Sequence, residues 1–259
     1  MQLVAVLGTG PAARALARYR DKNERLWLQP VPAGPVAPAV RALPLLGFAG
    51  AIVFGDDARH EALGAVARSS LDAGELGSID TVTVAGDATL GDHVGGRAVV
   101  EGLRSAGWDP RGSRIVAVGD AATLRAVLRE LAAAGAEDVT LVGVDTPAAE
   151  RAVPSLPNGV TARGMAVRDP ALPAVLERCD ALLRASDLLP LDTARVGPHL
   201  TIVDLAPGLD GSWRKAGRAG GATNVSWADV EAHRVAASLR TVLGAEVDPG
   251  PLLELFLAS

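Results

Sequence analysis

Residues 114–131 read RIVAVGDAATLRAVLREL, and residues 76–103, shortly before them, read LGSIDTVTVAGDATLGDHVGGRAVVEGL. In the first stretch an apolar strand ends at Gly119. A run with helical spacing follows, with Leu124, Val127, Leu128 and Leu131 on one face and Gly135 just past its end. A strand that turns at a glycine into a helix is the opening unit of an α/β sheet. Working outward, VTLVGV (139–144), GVTAR (159–163), ALLRAS (181–186) and LTIVDL (200–205) continue the strands. TPAAERAV (146–153) and PALPAVLER (170–178) are helices between them. Towards the N-terminus, QLVAVLG (2–8), LWLQPV (26–31) and GAIVFG (50–55) alternate with the helix-spaced AARALARYR (12–20) and PVAPAVRALPLL (35–46). This alternation predicts a parallel sheet covered on both faces, whose buried strands read as continuous apolar runs. The chain closes with a long amphipathic helix, 227–243, and a short one, 249–258. Pro110 and Gly112 mark a linker between two halves.

Composition narrows the function classes. Half of the 259 residues are apolar, enough for a sizeable core. The net charge of −5 argues against a nucleic-acid partner, which calls for a basic patch. No apolar run reaches the length of a membrane span, and the first residues read as a strand, so a cytoplasmic protein is expected. The single cysteine, Cys179, excludes an internal disulfide and offers no metal cluster; no metal is expected. Cys179 reads as a small buried hydrophobe at the entry of an apolar strand.

The turn after the strand at 114–118 has the position that a dinucleotide pyrophosphate occupies in an open α/β sheet, where glycines let backbone amides approach the anion. Here Gly119 is kept, and Asp120, Ala121 and Ala122 follow. Asp120 either faces a ligand or caps the helix behind it. At the next strand end GVDTP offers Asp145 and Thr146 but no arginine for a 2′-phosphate; Thr146 either meets a phosphate or, as expected, caps its helix. Arg184, Ser186 and Asp187 follow a third strand end, where Arg184 meets either an anion or Asp187.

Ordered, similarly spaced segments resemble the shikimate dehydrogenase family over nearly the whole chain. GFAGAIVFGDDA (47–58) resembles its G-F-x-G-x-N-V-T-x-P-x-K, LGSIDTV (76–82) its I-G-A-V-N-T-V, and GDATLGDHVGGRAVVEGL (86–103) its D-G-x-L-x-G-x-N-T-D-G-x-G-F-x-x-A-L. VGDAATLRA (118–126), CDALLRASDLLP (179–190), IVDLAP (202–207) and the stretch 214–244 stand at the later family segments. The resemblance implies a substrate-type α/β domain, 1–102 completed by 227–259, and a Rossmann-like domain, 103–226. It implies NADP or NAD as cofactor, a small-molecule ligand between the domains, and an NADP-dependent interconversion of 3-dehydroshikimate and shikimate. It leaves the oligomeric state open.

The residues at the family's functional positions differ. Its catalytic Lys falls on Ala58, or on Arg59 if the loop is one residue shorter, and its Asp on Gly95. The carboxylate-holding Ser-x-Ser has become GTGP, with Thr9 the sole hydroxyl. Ile52 and Phe54 replace an Asn and a Thr, Asp80 and His93 replace two Asn, and Thr81 is retained. Arg234 stands for the closing Gln and Trp227 for a Gly near the nicotinamide. A positioned acid–base contributes about 10²–10⁴ in rate, and neither Gly nor Ala transfers a proton. Apolar bulk at 52 and 54 removes partners for a polyhydroxy acid. His93 and His60 are the remaining proton carriers near neutral pH. The expectation is a protein that has lost the Lys/Asp catalytic pair and the glycine-rich cofactor loop and is inactive or nearly so on shikimate. The alternative is an NAD(P)-dependent dehydrogenase of a less polar hydroxy or keto acid.

Overall fold

The computed structural model describes residues 1–19, 25–32, 34–119, 122–153, 156, 159–190 and 196–258. They form an α/β fold with two compact units, 1–98 with 231–259, and 99–230. No helix among the described residues is long and apolar enough to cross a membrane.

In unit 1 the elements are, in chain order, β1 (Gln2–Gly8), α1 (Pro11–Leu16), β2 (Leu26–Pro30), α2 (Val36–Ala42), β3 (Gly50–Phe54) and α3 (Asp56–Leu63). Then come β4 (Arg68–Ser69), α4 (Leu71–Leu76), β5 (Thr81–Ala85), β6 (Ala88–Asp92) and the start of α5 (Gly95–Ser105). The sheet order is β2-β1-β3-β5-β6-β4. The expected all-parallel sheet is corrected here: β5 runs antiparallel to both β3 and β6. A two-residue turn at Gly86-Asp87, with Gly86 at φ +66°, closes β5 and β6 into a hairpin, the turn length that favours such a glycine. The hairpin brings Thr81 opposite both Ile52 and Asp92, so the segments around Phe54, Asp80 and His93 meet at the carboxyl end of β3. The core beneath holds Leu7, Val40, Val53, Ile79 and Val82.

Unit 2 continues with β7 (Arg114–Val118), α6 (Ala122–Ala133), β8 (Asp138–Gly143), α7 (Thr146–Ala152), β9 (Thr161–Ala166) and α8 (Leu172–Leu176). β10 (Ala181–Arg184), β11 (Thr201–Asp204), α9 (Ser212–Gly220) and β12 (Thr223–Val225) follow. α10 (Trp227–Leu243) starts in unit 2 and ends in unit 1, where α11 (Gly250–Leu257) closes the chain. The six strands are all parallel, in the order β12-β11-β10-β7-β8-β9. This is the order of a Rossmann sheet, with its switch point between β7 and β10. One apolar cluster, with Leu124, Leu128 and Leu131 of α6, covers one face; a second, with Leu172, Leu176 and Trp213, covers the other. The turn at 110–112 is no linker, because the chain passes between units inside α5 and the turn lies within unit 2.

Candidate functional site

At the carboxyl end of β3 unit 1 buries charge. Asp80 is fully buried. Its Oδ1 accepts the Thr81 hydroxyl (2.9 Å) and the Val94 N–H (2.9 Å), and its Oδ2 accepts the Gly95 N–H (2.8 Å). It thus caps the start of α5 from another strand, satisfying orphan amides with a charge suited to a helix N-terminus. The Thr81 hydroxyl also lies 2.8 Å from that of Ser238 on α10.

Around this carboxylate stand two guanidiniums. Arg234 is buried, bonded to Glu231 through Nε (3.1 Å), and sits 4.5 Å from the Phe54 ring centroid. Arg59, also buried, donates Nε to the Val53 carbonyl (3.3 Å) and lies 3.6 Å from Asp56. Burial would lower Arg234, but Glu231 and Asp80 raise it above its ordinary value. Burial would raise Asp80; the charges facing it from His93, Arg234 and Arg59, with the Val94 N–H, outweigh that and hold it below the usual carboxylate range.

His93 completes the cluster, with Nδ1 3.8 Å from Asp80 Oδ2. Burial, helped by Arg59 and Arg234, lowers its pKa against the pull of Asp80. It is therefore neutral at pH 7. Among the described residues neither ring nitrogen of His93 nor Nη1 of Arg234 has a hydrogen-bond partner.

The positions singled out in the sequence separate clearly. Ile52, Phe54, Arg59, Asp80, Thr81, His93, Gly95 and Arg234 gather at one end of the unit 1 sheet. Ala58 packs against the apolar core. Thr9 is exposed. His60 points elsewhere, its Nδ1 2.9 Å from the Gly77 carbonyl. A Cβ at Gly95 would lie 2.8 Å from Asp80 Oδ2 and 3.4 Å from both Arg234 and His93, so no side chain fits there unless these move. Glu231 and Ser238 escaped the sequence reading. The i,i+3 spacing of Glu231 and Arg234 on a helix was the available signal for the first.

In unit 2 a cleft of about 390 Å³ opens at the carboxyl ends of β7 and β8, among Gly119, Arg125, Gly143, Arg151, Ser186 and Leu188. Gly119 has φ +123°, and a Cβ there would meet Ala185 at 3.1 Å and Ser186 Oγ at 3.4 Å. Among the described residues the buried Ser186 hydroxyl has no hydrogen-bond partner, and neither has Nε of Arg125. Asp120 and Ala121 lie outside the described residues, as does the side chain of Ala122. The cap of α7 is Asp145, which accepts the Ala148 N–H (2.7 Å), and not Thr146, because the carboxylate precedes the first helical residue. Arg184 is taken: it pairs with Asp204 (3.0 Å) and with Asp187, and lies 5.9 Å from the Trp213 ring centroid. Trp227, half-buried, begins α10.

A parallel Rossmann-type sheet in one unit and a mixed sheet with a buried polar cluster in the other define the class: an α/β protein of two units. No family model matches the chain. A shikimate dehydrogenase (NADP(+)) of Dinoroseobacter shibae is 36% identical over 109 residues, which are 41% of this chain and 39% of that relative, so the match spans about two fifths of its length. Among solved structures, the ligand-free 5-ketofructose reductase of a Gluconobacter species has TM-score 0.81, with 18% identity over 99% of this chain and 98% of its own. The quinate dehydrogenase of Corynebacterium glutamicum, in complex with NAD, has TM-score 0.81, with 18% identity over 100% and 99%. The shikimate 5-dehydrogenase of Listeria monocytogenes, in complex with shikimate and NAD, has TM-score 0.81, with 15% identity over 98% and 96%. The chain has the fold of the shikimate and quinate dehydrogenases.

Proposed function

We propose that this chain is a shikimate-dehydrogenase-like protein that no longer oxidises shikimate. The carrying observation is at Gly95: its amide is bonded to Asp80, and the space beside it is taken by Asp80, Arg234 and His93. A carboxylate there would face Asp80 at close range, and like charges at such a distance resist joint ionisation. Ala58 is committed to the core, and Arg59, a permanent cation, is turned to Val53 and Asp56. This site therefore has no side chain able to exchange a proton at those two positions.

A nicotinamide nucleotide fits the cleft of unit 2 in part. Gly119 allows close backbone approach, the Ser186 hydroxyl is unclaimed, and the volume lies in the range of ligand pockets. Arg125 and Arg151 would face its phosphates. When bound, such a cofactor supplies or accepts hydride. We infer retained nucleotide binding without shikimate turnover, in a cytoplasmic protein.

The test is calorimetric titration of NADPH and NADH, with a shikimate oxidation assay of the wild type and of the double variant Ala58→Lys, Gly95→Asp. Nucleotide binding without turnover in either protein is expected. Shikimate-dependent NADPH formation by the wild type would refute the proposal. The second reading, a dehydrogenase of another hydroxy or keto acid, draws support from the unpartnered His93 nitrogens and Arg234 Nη1. NADPH consumption in a screen of keto acids, lost in His93→Gln, would favour it.

A further inference from the structure

β8 lies between β7 and β9, and an interior strand of a doubly wound sheet is normally apolar on both faces. Its first half departs from this. Asp138 and Thr140 share a face with Val142, which packs among Met165, Leu172 and Leu176 on the side of α8. Thr140 is fully buried there. α8 is only five residues long, and beyond the Val142 row it leaves a cleft of about 450 Å³ at the amino ends of the strands. This is the opposite edge of the sheet from Gly119.

The cleft has an apolar floor and a cationic rim. Val116 and Met165 form the floor, with Val175 and Cys179 as one wall. The Cys179 thiol is free, and burial pushes it up to about 12, so it presents no negative charge to a ligand. Arg114, Arg163 and Arg178 stand around the opening. Arg114 is paired with Asp180 (3.1 Å) and Arg163 with Asp138 (3.3 Å). Among the described residues Arg178 is bonded to the Ala174 carbonyl of its own turn (3.3 Å) and to no carboxylate. Three guanidiniums against two carboxylates leave a local excess of one positive charge in a chain of net charge −5.

We propose that this cleft is a second ligand site, for a small aromatic or branched-chain carboxylate. The apolar body would lie over Val116 and Met165, and the carboxylate would meet Arg178. The volume suits such a molecule. A guanidinium recognises a carboxylate through paired, charge-assisted hydrogen bonds. Nothing in this site depends on the nucleotide cleft.

The probe is phenylacetate, with phenylacetamide as its uncharged counterpart, titrated into ¹⁵N-labelled full-length protein and followed by amide shifts. Saturable shifts confined to residues 114–116, 138–140 and 171–179 are expected, with phenylacetamide at least about tenfold weaker. Arg178→Glu, an exposed change, should weaken phenylacetate at least about tenfold. Val175→Trp, which fills the cleft, should abolish the shifts. NADPH titration should be the same in both variants as in the wild type. The proposal is overturned by absence of saturation at millimolar phenylacetate, by equal binding of the amide, by undiminished binding in Arg178→Glu, or by displacement with NADPH.

Discussion

Asp80→Asn tests whether the charged cluster of unit 1 is structural. The change keeps shape, and Oδ1 can still accept from Thr81 and Val94. It removes the negative charge facing Arg59 and Arg234 and sets an amide NH₂ against the Gly95 N–H, which now loses its acceptor. Glu231 and the exposed Asp56 then remain as the counter-charges to two buried guanidiniums. Breaking a buried ion pair from one side costs about 3–5 kcal/mol. A domain of this size loses about 2–4 °C in Tm per kcal/mol, so unit 1 should melt roughly 6–20 °C lower. Calorimetric scanning with far-UV circular dichroism reads this, and Asp56→Asn is the control. Asp56 is exposed and 3.6 Å from Arg59, a pair worth less than about 1 kcal/mol. If Asp80 were instead held for a ligand, its removal would leave stability unchanged or improved, as at strained active sites. A fall of less than about 2 °C would sink the structural account.

Three further outcomes follow from the same geometry. Gly95→Ala should lower the urea midpoint by an amount worth about 1–3 kcal/mol, because its Cβ meets Asp80 at 2.8 Å; a rise, as helix propensity alone predicts, would contradict the crowding. Since burial depresses His93 below its ordinary 6.5, the unfolded chain takes up that proton first. Stability is then intact above pH 6.5 and falls below it by at most about 1.4 kcal/mol per pH unit, and urea melts of His93→Gln should show this slope flattened. A slope unchanged in the variant would show that another group titrates. Finally, Cys179, with its thiol pushed up to about 12 and buried, should react with a disulfide reagent only after urea unfolding; stoichiometric labelling of the native protein at pH 8 would show the strand entry to be open.

The Rossmann sheet was legible because its strands are runs of Val, Ile and Leu separated by helix-spaced stretches, a pattern made by burial on both faces. The hairpin of unit 1 was not, since Ala85-Gly86-Asp87-Ala88 carries its turn signal in two residues and β5 keeps a parallel-like composition. The positions of the polar cluster were reachable from spacing and resemblance, but their partnership was not. Asp80 bonds the amides of Val94 and Gly95, and backbone amides leave no mark in a sequence. Arg234 showed as a departure from pattern, whereas its hold on Glu231 needed the helix face. The cleft beside Thr140 was hidden because one threonine in a strand is unremarkable until its neighbours are placed.

The passage of α5 and α10 from one unit to the other bears on how the chain is made. Unit 2 is an insertion: unit 1 is begun before residue 98 and completed only after residue 231. On the ribosome Asp80 emerges with Arg59 but without Arg234, which lies 154 residues further on (234 − 80). At about 5–20 residues per second that is a delay of roughly 8–31 s. During it the carboxylate lacks one of its two cations and α10 has yet to reach Thr81. Unit 2, contiguous in the chain, can close first, so the nascent protein should gain its parallel sheet early and its buried charges last.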